Sequence, residues 1–213
     1  MSKTPFFRKP FRYTYFHATL CIILINLIMY FVCNFIPEIK GYLALNVYYV
    51  VVHKMYWQFV TYMFVHQGFR HVLLNMLGLF FFGMGVERAI GSKEFVLFYF
   101  VTGILSGVLS FFLYYLTGSY RVFLLGASGA VYAVLFAYAV CYPRSMIFIW
   151  GILPVPAPVL VFIYALIEIF SGFFGTSNVA HFTHLFGFLI ATLYFIIRMG
   201  VNPIKIWKDG YRK

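Results

Sequence analysis

The sequence predicts an all-α membrane protein of six transmembrane helices, and three observations carry that prediction. Of 213 residues, 63% are hydrophobic. Only 10% are charged, whereas a soluble domain of this size needs roughly a quarter to keep a wetted surface. The apolar residues fall into runs close to the ~20 that a helix needs to cross the hydrocarbon core.

The first span is expected at 15–36. A basic N-terminus, residues 1–14, precedes it. The uncharged stretch from Tyr13 to Pro37 is longer than a signal-peptide core and no small-residue cleavage pattern follows, so the span reads as retained. A long connection, 37–69, comes next. Its segment Tyr56-Trp57-Gln58-Phe59 suits the headgroup level, where amphipathic rings concentrate. The remaining spans are expected at 70–88, 95–116, 126–142, 157–172 and 178–198. Pro154, Pro156 and Pro158 would break a helix interior, so they precede the fifth span. Residues 199–213 form a basic tail. No internal repeat supports a transporter built from inverted halves.

The net charge of +11 raises nucleic acid as a partner, but the basic residues sit between apolar runs and at the ends, not along one polar face. No nucleic acid is expected; the lipid bilayer is. Only Lys40, Lys54, Arg70 and Arg121 of the 16 Lys and Arg fall on one side of the six-span arrangement. The positive-inside rule then places both termini in the cytoplasm, and the expected location is a bacterial cytoplasmic membrane. Cys21, Cys33 and Cys141 all lie in apolar runs without paired spacing, which supports neither a disulfide framework nor a zinc site. No cofactor is expected.

In this orientation the second, fourth and sixth spans run inward, and each begins with polar groups. His71 and Asn75 are four residues apart and share a helix face, as do Ser128 and Tyr132. His181 and His184 open the sixth span. At ~1.5 Å per residue, Ser128 is expected on the order of 10 Å below Arg121, and His184 a similar depth below Asn178. Polar groups at one depth in hydrocarbon are costly and point to function. Gly129 with Ala133, and Gly187 with Ala191, give small faces through which the fourth and sixth spans can approach closely. Ser128 and His184 then come within reach, the serine as nucleophile and the histidine as general base. His71, Asn75 and the Ser128 backbone N–H are candidates for stabilising an oxyanion. The only Asp, Asp209, is in the tail, so the expected unit is a Ser–His dyad without a triad acid. Blander readings stand beside this one. Ser128 can be a packing residue, and His71–Asn75 a structural hydrogen bond. Glu168 can relay protons or simply reach the interface. His181 and His184 can bind metal, but no carboxylate or thiolate is expected nearby, so no metal site is assigned.

The chain resembles the rhomboid family of intramembrane serine proteases. The motifs that carry the resemblance are Gly126-Ala127-Ser128-Gly129, His71 with Asn75, and His184 with Gly187 and Ala191. To these are added Tyr132 four residues after the serine, and Gly83, Glu87, Gly91 and Ser92. The resemblance implies a six-helix bundle over 15–198 with a short central fourth helix. It also implies Tyr132 packed on the catalytic histidine, and a water-filled cavity open to the outside. Single-pass membrane proteins, cut in or near their transmembrane segments, are the implied substrates. Trp57-Gln58 stands where many members have Trp-Arg. Two rivals remain: a rhomboid-like protein that grips membrane helices without cutting them, and a small proton-coupled transporter. The sequence names no physiological substrate or oligomeric state.

Overall fold

The computed structural model describes residues 8–149, 151–174 and 179–210, with the side chains of 179 and 180 left aside. Lys3, Asn178, Arg212 and Lys213, used above for charge and depth, lie outside the described residues. The helices are α1 (Ala18–Phe35), α2 (Ile39–Leu43), α3 (Val47–His53), α4 (Gln58–Thr61), α5 (Phe69–Ile90), α6 (Ser92–Leu116), α7 (Ser128–Cys141), α8 (Ala157–Phe174), α9 (Val179–Ile197) and α10 (Pro203–Gly210). Among them α1, α5, α6 and α8 are long and apolar enough to cross a membrane. The shorter apolar helices α7 and α9 pack against them.

The distribution of polarity is that of a protein solvated by lipid. On α1, Leu24, Ile28 and Phe31 are exposed; on α8, Phe162, Ile167, Phe170 and Phe173 are. Apolar faces of this extent would aggregate in water. Polar groups instead lie inside: Glu87, Glu94, Glu168, Thr102, Ser106 and Thr183 are all buried. Rich in alanine and with Gly129 in its first turn, α7 is covered nearly all round and forms the centre of the bundle.

The buried carboxylates have structural partners. His17, at the N-cap of α1, offers no side-chain cap. Glu87 of α5 supplies it from across the bundle, accepting from the Ala18 N–H at 2.6 Å and the Thr19 N–H at 2.9 Å. These are amides that a helix leaves without internal acceptors. Ser92 donates to the same carboxylate and accepts from the Phe16 N–H at 2.8 Å. The Gly83–Ser92 segment therefore docks the chain entering α1. Glu94 binds Arg198 through two hydrogen bonds, of 2.9 and 3.0 Å, and accepts from the Phe11 N–H. Arg144 Nε donates to the Gly210 carbonyl at 2.7 Å. The described residues before α1 and after α9 thus lie at one end of the bundle, and the 37–69 connection lies at the other, where Asn46 bonds the carbonyls of Tyr120 and Val122.

That connection is built, not open. α2, α3, α4 and the 3₁₀ turn Tyr62–Phe64 fold it onto the bundle. Gln58 is fully buried; its Oε1 accepts from the Asn46 N–H and its Nε2 donates to the Gly41 and Tyr42 carbonyls. Trp57 Nε1 donates to the Tyr42 carbonyl at 2.9 Å. The Trp57-Gln58 pair therefore anchors the loop. Tyr56 and Trp57 are exposed as interfacial rings should be, whereas Gln58 is not.

The structure corrects two further points. The purely α expectation misses two antiparallel ribbons: β1 (Leu45–Asn46) with β2 (Phe123–Leu124), and β3 (Met146–Ile149) with β4 (Leu153–Pro156). Pro154 and Pro156 are tolerated because a two-stranded ribbon leaves one edge of each strand unpaired. Second, α7 starts at Ser128, not at 126, because Gly126 has φ +115°, outside helical space. The 121–127 segment is not helical, so the helical-rise argument for the depth of Ser128 does not hold.

Candidate active site

The site is assembled where α7, α8 and α9 meet. Strand β2 is held in register by Leu45↔Leu124, and the Gly126 N–H donates to the Tyr62 carbonyl at 2.9 Å. The positive φ of Gly126 then turns the chain into α7, with Ser128 as its first residue and half-buried. The first backbone bond inside this helix runs from the Val131 N–H to the Ala127 carbonyl. Amides earlier in that turn, Ser128's included, have no internal acceptor, and the positive end of the helix dipole lies there.

α9 approaches α7 through the small residues. A Cβ added to Gly187 would lie 2.2 Å from the Gly129 carbonyl oxygen, and one added to Gly129 would lie 3.2 Å from Thr183. Only paired glycines permit backbones this near. The result is a 2.8 Å hydrogen bond between Ser128 Oγ and His184 Nε2. Tyr132, one turn after the serine, stacks on the His184 ring with centroids 4.1 Å apart and planes 7° from parallel.

The other ring nitrogen of His184 meets what the sequence reading missed. Glu168 Oε1 lies 3.0 Å from His184 Nδ1, at hydrogen-bond length but off the line of the ring N–H. Glu168 Oε2 is 2.6 Å from His181 Nδ1, and the Tyr132 hydroxyl donates to Oε1. The expectations that no acid stands behind the histidine, and that no carboxylate lies near His181 and His184, are both corrected. The reason is tertiary: Glu168 is 13 residues from His181 and on another helix, so no spacing rule joins them. Ligand atoms of Glu168, His181 and His184 all lie within 4.8 Å of one another, a set that can hold a divalent ion. Hydrogen bonding already satisfies most of it.

His71 and Asn75 stand on α5. The Gly126 backbone lies against the His71 ring, such that a Cβ there would meet His71 Nε2 at 2.7 Å. Asn75 is buried and its Nδ2 donates to the His71 carbonyl at 2.9 Å, which leaves the second amide hydrogen uncommitted by that bond. Behind them His66, fully buried in the connection, packs edge-on to His71 with ring centroids 5.1 Å apart. Burial first, and the neighbouring His71 second, push its pKa down to about 4. Its proximity in sequence to His71 was the one available signal.

Helices long enough to span a membrane, turned apolar side outward around a partly accessible serine–histidine pair, define a polytopic membrane protein with a hydrolase-like site. A profile of the Rhomboid domain matches residues 53–200, and the chain belongs to that family. It is 29% identical over 148 residues to RHOMBOID-like protein 12, mitochondrial, of Arabidopsis thaliana, covering 63% of this chain and 44% of that protein. It is 31% identical over 88 residues to the putative rhomboid protease YdcA of Bacillus subtilis, covering 41% and 42%. A third relative is the B. subtilis rhomboid protease GluP, 31% identical over 86 residues, covering 40% and 16%. The matches span less than half the length of these relatives. Plant organelles and a bacterium are both represented, so the relatives support an integral membrane protein but not the expected bacterial membrane.

Proposed function

We propose that the protein is an intramembrane serine endopeptidase that cuts single-pass membrane proteins in or near their transmembrane segments. The observation that carries this reading is the 2.8 Å contact between Ser128 Oγ and His184 Nε2 at the N-terminus of a central helix. Ser128 Oγ attacks the scissile carbonyl as its proton passes to His184 Nε2. The resulting oxyanion is stabilised by the Ser128 N–H, His71 and Asn75. His184 then protonates the departing amine, and water, activated by the same imidazole, hydrolyses the acyl-enzyme. Gly126, Gly129 and Gly187 let the backbones approach, and Tyr132 holds the ring. The four long helices and the two shorter apolar ones support six crossings; the Lys and Arg count supports cytoplasmic termini.

The test uses purified protein in detergent micelles with a panel of single-pass model substrates, wild type beside Ser128→Ala. Cleavage and fluorophosphonate labelling by the wild type, both lost in a variant of unchanged melting temperature, are expected. Substrate binding by the wild type without labelling would replace the protease with a helix-gripping relative.

A further inference from the structure

Glu168 is the one charged residue in the otherwise apolar α8, and it is buried. A carboxylate at such a position is costly unless it faces the bundle interior and finds donors. It faces three. The Tyr132 hydroxyl and His181 Nδ1 hold its two oxygens, and His184 Nδ1 is 3.0 Å from Oε1. That nitrogen is on the opposite side of the ring from the Nε2 that meets Ser128.

We propose that Glu168 is a positioning residue of the reaction: it sets the tautomer of His184 and stabilises the imidazolium formed when Ser128 is deprotonated. This rests on the protease reading above. An ionised carboxylate only accepts hydrogen bonds. A group facing it at 3.0 Å must therefore donate, so His184 carries its resting proton on Nδ1 and leaves the Nε2 lone pair facing Ser128. Without an acceptor at Nδ1 either tautomer is open, and the Nε2–H form cannot act as a base. When Nε2 takes the serine proton, both ring nitrogens are protonated beside a fixed negative charge. The proton returns from Nε2 to the leaving amine, and Glu168 stays ionised throughout. Tyr132 contributes twice, through its ring against His184 and its hydroxyl on Glu168. The contact at Nδ1 is off-line without substrate, and such bonds commonly tighten when substrate binds. His181, more exposed than His184, holds the far oxygen of the carboxylate.

The rival reading is a structural clamp joining α8 to α7 and α9. Glu168→Gln separates the two, because it preserves shape and its amide oxygen can still accept from the Tyr132 hydroxyl at the Oε1 position, yet it removes the negative charge beside the imidazolium. In detergent, the variant is expected to keep its melting temperature and KM and to lose on the order of 10³-fold in kcat. Glu168→Asp, a shorter acceptor, is expected to recover part of that loss. Nitrogen-15 shifts of the His184 imidazole give a readout independent of turnover: Nδ1–H is the expected resting form of the wild type. A wild-type His184 protonated at Nε2 instead, or a kcat loss that only follows melting temperature, overturns the proposal. A wild type that neither cleaves nor labels overturns the protease reading instead, while the tautomer measurement still decides the role of Glu168.

Discussion

Replacing Gly187 by alanine tests whether the approach of α9 to α7 is what builds the site. The added Cβ would sit 2.2 Å from the Gly129 carbonyl oxygen, and contacts under 3.0 Å are essentially never adopted. The clashing atom is backbone, so no rotamer relieves it, and the helices must separate locally by at least about 0.8 Å. Ser128 is the residue before Gly129, and His184 lies one turn before Gly187. A displacement of that size along the Ser128–His184 direction stretches the 2.8 Å bond to about 3.6 Å, where a hydrogen bond no longer exists. Misplacement of about 1 Å costs about 10²-fold in rate, and overpacking of a tight core about 1–3 kcal/mol in stability. The assay is kcat on a model substrate at a temperature well below melting, beside melting temperature itself. Gly172→Ala is the control, since its Cβ meets Phe182 at an ordinary 3.5 Å; it is expected to behave like the wild type. If Gly187→Ala turned over at the wild-type rate, the close helix contact would not govern the geometry of the pair.

The α5 pair separates by kinetics: if His71 and Asn75 hold the oxyanion, His71→Ala and Asn75→Ala keep melting temperature and KM but lose about 10²–10³ in kcat. Losses that merely follow melting temperature would leave both as packing residues, as the Asn75 bond to the His71 carbonyl allows. Stability is expected to depend on pH through His66. Its pKa is lowered to about 4 in the fold, against 6.5 ordinarily, so between those values the unfolded chain binds the extra proton. The folded state is therefore fully favoured above pH 6.5 and weakens as pH falls towards 4, by about 3 kcal/mol at most. His66→Gln flattens this; melting temperatures for the two proteins that run parallel from pH 7 to 4 would refute it.

Composition and run length are local properties, and they were enough for the long helices, although Pro158, expected before the fifth span, lies in the first turn of α8 and the short helices α2, α3, α4 and α10 were not foreseen. The spans expected at 15–36, 95–116 and 157–172 correspond to Ala18–Phe35, Ser92–Leu116 and Ala157–Phe174, because a stretch of apolar residues in lipid has helix as its one way to satisfy its backbone. The glycine and alanine faces of α7 and α9 were also legible, since a Gly at one-turn spacing from a polar residue marks a close packing seam in any context. The ribbons were not legible. Leu45–Asn46 and Phe123–Leu124 are two residues each and pair far apart in the chain, Leu45 with Leu124 and Asn46 with Phe123, so no periodicity signals them. Nor was the start of α7, which depends on the φ of a single glycine held by the Tyr62 carbonyl.

The sequence by itself therefore determined that the chain lives in a membrane, where most of its helices run, and which serine and histidines were worth watching. Only the tertiary structure decided which groups meet. Glu168 read as a proton relay or a residue reaching the interface until α8 packed beside α9 and set it against His181 and His184. His66, which no sequence pattern singled out, is buried behind His71. Helical periodicity relates residues on one helix, but contacts between helices depend on rotation and tilt about each axis. Those are set by packing across the whole bundle, which no local pattern records.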